Sequence, residues 1–184
     1  MSRTPSNMLP LGTIAPGFNL PDTVTDKMVS LDQIIGVNGT LIMFICNHCP
    51  FVKHVNSTIT QLATNYQAQG IAFIAISSND VVNYPQDAPE LMKQTALLER
   101  YSFPYLFDET QAVAKAYEAA CTPDFYLFDK NLRLVYRGQL DDSRPGNGIP
   151  STGLDLRNAF EALLNNEPID PVQKPSIGCN IKWK

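Results

Sequence analysis

Leu41 to Ile45 is an unbroken apolar run that follows the turn signal Asn38-Gly39, the pattern of a strand buried on both faces. From Phe51 the period changes. Phe51, Val55, Ile59, Leu62 and Tyr66 recur at spacings of three and four up to Gly70, which predicts an amphipathic helix closed by a C′ glycine. Ile71 to Ser77 reads as a second buried strand. Residues 41–77 therefore make a strand–helix–strand unit, whose crossover is right-handed and whose strands run parallel.

Further along, Asp87, Pro89 and Glu90 predict the start of a second helix reaching about Tyr101, with the Asp87 side chain as its cap. Tyr105 to Phe107 reads as a short strand, and Asp108 as the cap of a helix holding Val113 and Tyr117. Phe125–Phe128 and Leu132–Arg137 flank Asp129-Lys130-Asn131, as in an antiparallel hairpin. Thr152 and Asp155 frame a last helix with Leu156, Phe160 and Leu163 on one face. Residues 1–40 carry short apolar pieces between prolines and glycines, predicting a hairpin or loop that caps the main fold. The tail beyond Asn165 contains Pro168, Pro171 and Pro175 and is expected to be irregular. The expected organisation is one domain over 1–184: an extension (1–40), a core (41–165) and an irregular tail (166–184). Its class is α/β, a mixed central sheet flanked by helices.

Composition narrows the function. A chain of 184 residues suits one core, and 44% hydrophobic with 17% charged residues excludes wholesale disorder. With 14 Lys+Arg against 18 Asp+Glu, the net charge is −4, so no nucleic-acid partner is expected. The apolar runs fall far short of the roughly 20 residues of a membrane helix, so no membrane partner is expected either. The first residues lack the apolar region of a secretory signal, and a cytoplasmic location is expected.

Four cysteines are too few for a disulfide scaffold, and two of them form Cys46-Asn47-His48-Cys49 at the junction of strand and helix. In a cytosolic chain this spacing points to redox or metal chemistry. A thiolate at a helix N-terminus is stabilised by unpaired N–H groups and the helix dipole. That placement makes Cys46 the expected activated thiol, Cys49 its disulfide partner and His48 a source of positive charge. A closed zinc site wants four ligands, and no second pair stands at the right spacing. Pro50, where haem attachment needs His, excludes that chemistry. A copper or zinc site of Cys46 and Cys49 with His48 or His54 is the metal alternative; otherwise His54 is a solvated helix-face residue. Asp141-Asp142-Ser143-Arg144 reads as a solvated turn with a local ion pair, or as a loop contacting substrate.

The order strand, C-x-x-C, helix, strand, followed by Thr122-Pro123, a hairpin and a last helix, resembles the thioredoxin fold. The N-terminal extension and the inserted strand and helix around Tyr105 to Ala120 resemble the peroxiredoxin-like branch, the alkyl hydroperoxide reductase/thiol-specific antioxidant family. Cys46-Asn-His-Cys-Pro-Phe-Val-Lys-His54, Cys121-Thr-Pro-Asp124, Tyr136-Arg-Gly-Gln-Leu-Asp-Asp-Ser-Arg144 and Pro175-Ser-Ile-Gly-Cys-Asn-Ile-Lys-Trp183 resemble one group of peroxiredoxin-like proteins. The resemblance implies a cis Thr122–Pro123 bond facing the C-x-x-C, with Cys46, Cys49, His48, Thr122 and Pro123 as catalytic residues. It leaves Cys121 and Cys179 as candidate resolving thiols; their bland readings are a small buried hydrophobe and an inert residue of a tail docked through Trp183. The peroxidatic pattern Pro-x-x-x-Thr/Ser-x-x-Cys is not met. Reading back from Cys49 gives Cys46 and Ile42, and from Cys46 gives Met43 and Gly39. Dithiol–disulfide exchange is therefore expected, with a thiol peroxidase or a copper/zinc module as alternatives. Sco-type copper proteins share a related fold, but three residues stand between their cysteines, and here two. The expected partner is a protein or small-molecule thiol or disulfide, or a hydroperoxide, with no cofactor and no metal.

Overall fold

A computed structural model describes residues 3–184. In chain order the elements are β1 (Thr4–Pro5), β2 (Asn19–Pro21), β3 (Met28–Ser30), β4 (Gly39–Phe44), α1 (Pro50–Gln67), β5 (Ile71–Ser77), α2 (Pro89–Leu98), β6 (Tyr105–Phe107), α3 (Ala112–Ala116), β7 (Cys121–Thr122), β8 (Asp124–Asp129), β9 (Leu134–Gly138), α4 (Leu154–Leu164) and β10 (Ile177–Asn180). The main sheet has the order β6-β5-β4-β8-β9. β4 runs parallel to β5, Gly39 opposite Ile71 through Phe44 opposite Ile76, and antiparallel to β8. β2 and β3 form the N-terminal hairpin.

β4 is apolar from Leu41 on because it is central and covered on both sides. Alternate residues serve opposite cores. Leu41, Met43 and Ile45 pack with Val55, Ile59 and Leu62 of α1, Met92 of α2 and Phe160 of α4. Ile42 and Phe44 pack with Leu9, Phe18 and Leu20 of the extension and Ala114 of α3. Each such large side chain removed from water contributes about 1.5–3 kcal/mol. The sheet is thus mixed, with helices on both faces. No helix among the described residues is long and apolar enough to cross a membrane.

Three helix starts differ from the sequence expectation. α1 begins at Pro50 with Cys49 at its N-cap. The N-cap of α2 is Ala88, while Asp87 ends a single 3₁₀ turn over Pro85–Asp87. For α4 the expected Thr152/Asp155 box gives way to a remote cap. Asp141 Oδ2 accepts the N–H groups of Thr152 and Gly153, both at 2.7 Å.

The tail is also more regular than its prolines suggest. Beyond Pro175 it forms β10, which pairs with β1 on one edge and β7 on the other, Cys179 standing opposite Thr122. Long-range backbone pairing overrides the breaker-rich composition here, because the breakers end where the pairing begins. A Cβ on Gly178 would lie 1.9 Å from the Thr122 carbonyl oxygen, so only glycine allows this approach. Ile181 N–H donates to Ala120 O (3.1 Å) and Lys182 N–H to Asn79 Oδ1 (2.8 Å). Trp183 stays 42% exposed. The strand, not the indole, docks the tail.

Candidate active site

At the end of β4, the Ile45 N–H still bonds Ile76 O (3.0 Å). The chain then leaves the sheet at Cys46 and becomes helical at Pro50, a residue suited to the first helical position. Asp87 shapes the loop between them. Its Oδ1 accepts the N–H groups of Asn47 (2.9 Å) and His48 (3.2 Å), and its Oδ2 accepts His48 Nδ1–H (2.6 Å) and Asn79 Nδ2–H (2.8 Å). The Asn47 side chain is fixed in turn, donating to Gln86 O (3.0 Å) and accepting from the Tyr105 hydroxyl (3.1 Å). Burial alone would lift the Asp87 pKa. The hydrogen bonds from His48 and Asn79 outweigh it and hold the carboxyl below the ordinary carboxylate range. His48 is 23% exposed and stacks on Tyr84, ring centroids 5.8 Å apart.

The opposite wall is the cis Thr122–Pro123 bond. Cys46 Sγ lies 3.5 Å from Thr122 Oγ1 and 3.9 Å from His48 Nδ1. The Cys49 S–H points at the Thr122 carbonyl oxygen, 3.1 Å away. All four cysteines are buried, and none is in a disulfide.

The two motif sulfurs share a hydrogen bond and behave as a pair. Loss of one proton places the charge on Cys49, whose pKa falls to about 5. The foremost cause is the Cys46 S–H donating to it. Burial opposes the shift, and Cys179, the Thr122 side chain and the Val52 N–H assist it. Cys46 is pushed well above the ordinary thiol value by that same bond, by burial, and by the negative charge of Asp87. The sequence reading places the charge on Cys46, whereas the donors around the pair favour Cys49. α1 begins at Pro50, and of its N–H groups that of Val52 reaches the Cys49 sulfur.

Cys46, His48, Cys49, Thr122 and Pro123 thus come together, and Cys179 joins them through its hydrogen bond to the Cys49 sulfur. Cys121 turns away. Its sulfur faces the carbonyl oxygens of Pro123 (3.8 Å) and Ser176 (3.9 Å), and burial, then the charge of Asp124, push its pKa up. His54 is not the solvated residue expected. Its Nε2 is buried without a partner, in a crevice shared with Phe51, Pro123, Ser143 and Arg144. In Asp141-Asp142-Ser143-Arg144 no Asp–Arg ion pair forms, and only Asp142 is exposed, paired with Lys174 at 2.8 Å. Asp141 is buried and caps α4, and Arg144 donates to the carbonyl oxygens of Asp141 and Ser143 (both 2.6 Å) and to Gln139 Oε1 (2.5 Å).

The metal alternative changes membership. Ligand atoms of Cys46, His48 and Asp87 lie within 4.8 Å of one another. Both Asp87 oxygens, however, already accept two donors each, which leaves the carboxylate poorly suited to a cation. Asp87 is the site residue that sequence reasoning missed, because its spacing to Pro89 and Glu90 imitates a helix cap. Beside His48, a groove of about 500 Å³ opens between α1 and α2, lined by Asn47, Asn56, Gln94, Leu91 and Leu98 among others.

Residues 11–137 match the AhpC/TSA family model, a span that holds both motif cysteines and the cis proline. The chain belongs to the AhpC/TSA family. This family member is similar over its whole length to an uncharacterized conserved protein from Geobacillus kaustophilus, at 57% identity and a TM-score of 0.98, covering 100% of this chain and 97% of that one. A hypothetical protein from Sinorhizobium meliloti is 46% identical with a TM-score of 0.96, covering 98% of each chain. The thioredoxin domain of a thiol-disulfide oxidoreductase from Bacteroides vulgatus is similar at 15% identity and a TM-score of 0.65, over 83% of this chain and 99% of that one. The last likeness is one of fold, and the fold is thioredoxin-like. Comparison with curated proteins returned no match. The protein is a thiol-dependent oxidoreductase.

Proposed function

We propose that the protein performs thiol–disulfide exchange through Cys46 and Cys49. The observation that carries this reading is that both sulfurs meet at one residue of the cis-proline wall, Cys46 Sγ 3.5 Å from Thr122 Oγ1 and Cys49 Sγ 3.1 Å from Thr122 O, which puts a second thiol within reach of the thiolate. The Cys49 thiolate attacks one sulfur of a substrate disulfide. A mixed disulfide forms and the first substrate thiol leaves. Cys46 then loses its proton and attacks the Cys49 sulfur, forming Cys46–Cys49 and releasing the second substrate thiol. Two electrons pass from the dithiol to the substrate. The substrate is a protein or small-molecule disulfide, and a reducing cytoplasm supplies the setting in which the dithiol stays ready.

The test uses a small-molecule disulfide such as oxidised glutathione. The reduced protein should release two substrate thiols per chain, and a Cys46→Ser, Cys179→Ser double variant should stop at a mixed disulfide on Cys49. Absence of that adduct, or its appearance on Cys46 in a Cys49→Ser variant instead, overturns the assignment.

One observation favours hydroperoxide reduction as a second reading. Cys49 carries the charge at the motif position where peroxiredoxins hold their reactive cysteine, and Cys46 and Thr122 stand around it as donors. In that case a peroxide O–O bond breaks to give Cys49 sulfenic acid and an alcohol or water, and Cys46 displaces water to close the same disulfide. Peroxide consumption in a thioredoxin-recycled assay separates the two.

A further inference from the structure

We propose that Cys179 is a third redox residue of this site, able to take Cys49 over from the Cys46–Cys49 disulfide and form a Cys49–Cys179 disulfide. The inference rests on the exchange reading above and extends it.

The tail puts this thiol in place by backbone pairing. β10 lies between β1 and β7, with Cys179 directly across from Thr122, whose carbonyl oxygen is the 3.1 Å acceptor of the Cys49 S–H. Gly178 lets the two strands approach, and Ile181 and Lys182 tie the segment to Ala120 and Asn79. A flexible tail cysteine would sample many positions; this one is held. Cys49 is the sulfur shared by both partners, hydrogen-bonded to Cys46 and to Cys179. Cys179 itself is buried, 4% exposed, so Cys49 is its neighbour rather than solvent. Cys121, equally buried, faces carbonyl oxygens and lacks this contact.

The step is an internal exchange. Cys179 loses its proton and attacks the Cys49 sulfur of the Cys46–Cys49 disulfide. The Cys49–Cys179 bond forms, the Cys46–Cys49 bond breaks, and Cys46 leaves as a thiolate that takes up a proton. No electrons are gained or lost, and no further oxidant is needed. In the reduced protein, burial first, and then the hydrogen bond and charge of Cys49, hold Cys179 up at about 12. The two Cys49 contributions end once that sulfur is in a disulfide, while Lys182 continues to favour the Cys179 thiolate. Cys179, though still buried, therefore ionises more readily once the Cys46–Cys49 disulfide exists. The product returns Cys46 as a thiol beside His48 and leaves the oxidising equivalent on Cys49–Cys179.

The experiment is a time course of oxidation with oxidised glutathione, acid quench, alkylation and non-reducing peptide mapping. In the wild type the Cys46–Cys49 link should appear first and the Cys49–Cys179 link should grow from it. In Cys46→Ser the Cys49–Cys179 link should form directly, shortening the life of the Cys49 mixed disulfide at least tenfold relative to Cys46→Ser, Cys179→Ser. If the wild type forms Cys46–Cys49 but neither protein ever links Cys49 to Cys179, this inference fails alone. If no Cys46–Cys49 link forms in the wild type, the exchange reading itself fails.

Discussion

His48 Nδ1 and Asp87 Oδ2 stand 2.6 Å apart, joining the thiol loop to a residue 39 positions downstream. The same carboxylate takes three further donors, two of them backbone N–H groups of the motif. It is a buried charge balanced by hydrogen bonds, and its first role is to hold the Cys46–Cys49 loop in one shape. Asp87→Asn keeps one oxygen acceptor and turns an amide toward groups that are themselves donors. The expected cost is about 1–3 kcal/mol in urea unfolding. Because the folded carboxyl lies below its ordinary range, its contribution is present above the unfolded carboxyl pKa and is lost as pH falls through the depressed folded value. The variant should therefore lose less stability than the wild type on acidification below about pH 4. Its Cys46 should also ionise more readily, since a negative charge beside it is gone. Equal acid sensitivity in both proteins would show that Asp87 is not the balanced charge described.

The placement of charge within the thiol pair is open to direct titration. Thiolate absorbance near 240 nm in the reduced wild type should rise around pH 5, as Cys49 loses its proton. Cys49→Ser should abolish that early rise. Cys46→Ala should move it upward by one unit or more, because the donor that contributes most is removed, whereas Cys46→Ser, which keeps a donor, should move it less. An early rise that survives Cys49→Ser would place the charge on Cys46.

Asp124, next to the cis proline, is a second buried carboxyl with the opposite behaviour. Burial lifts its pKa to about 7 despite hydrogen bonds from Tyr126 and Ser6, and its Oδ1 has no partner. The folded state thus holds this proton where the unfolded chain has released it, so stability declines from about pH 4 to pH 7 and the penalty is complete above. Over part of that range Cys49 acts the other way, its depressed pKa adding stability as pH rises. The informative quantity is the difference between Asp124→Asn and wild type. It should grow in favour of the variant as pH rises, reaching on the order of 4 kcal/mol at pH 8, and a difference independent of pH would contradict it.

Gly178→Ala tests the tail. The added methyl carbon would lie 1.9 Å from Thr122 O, a backbone atom that cannot rotate away. The expected loss is about 3 kcal/mol, together with faster alkylation of Cys179 and Cys121 as β10 loosens. A stable variant with unchanged thiol reactivity would mean that the strand is not what positions Cys179.

The parts of the fold that were legible in the sequence are those with local period. β4 and β5 show as unbroken apolar runs because each is covered on both faces, and α1 shows its stripe because one face meets Leu41 and Met43. The C-x-x-C and the Thr-Pro partner were legible as residue types. What was not legible depends on long-range pairing. β10 hides behind Pro168, Pro171 and Pro175, since its partners, β1 and β7, are both remote from it in sequence. Asp87 and Asp155 both sit at cap spacing, yet the loop claims Asp87, and Asp141 replaces the Thr152/Asp155 box. Which motif sulfur carries the charge depends on the donors around it, Cys46, Cys179 and Thr122, and periodicity does not resolve these.

The central claim is that Cys46 and Cys49 form the working redox pair. Intact-mass measurement after mild oxidation of a Cys121→Ser, Cys179→Ser variant tests it most directly, because only the motif thiols remain. The account predicts a loss of two hydrogens that maps to a Cys46–Cys49 link and is reversed by dithiothreitol. A variant that keeps its full reduced mass, or gains oxygen on one cysteine without closing the link, would contradict it.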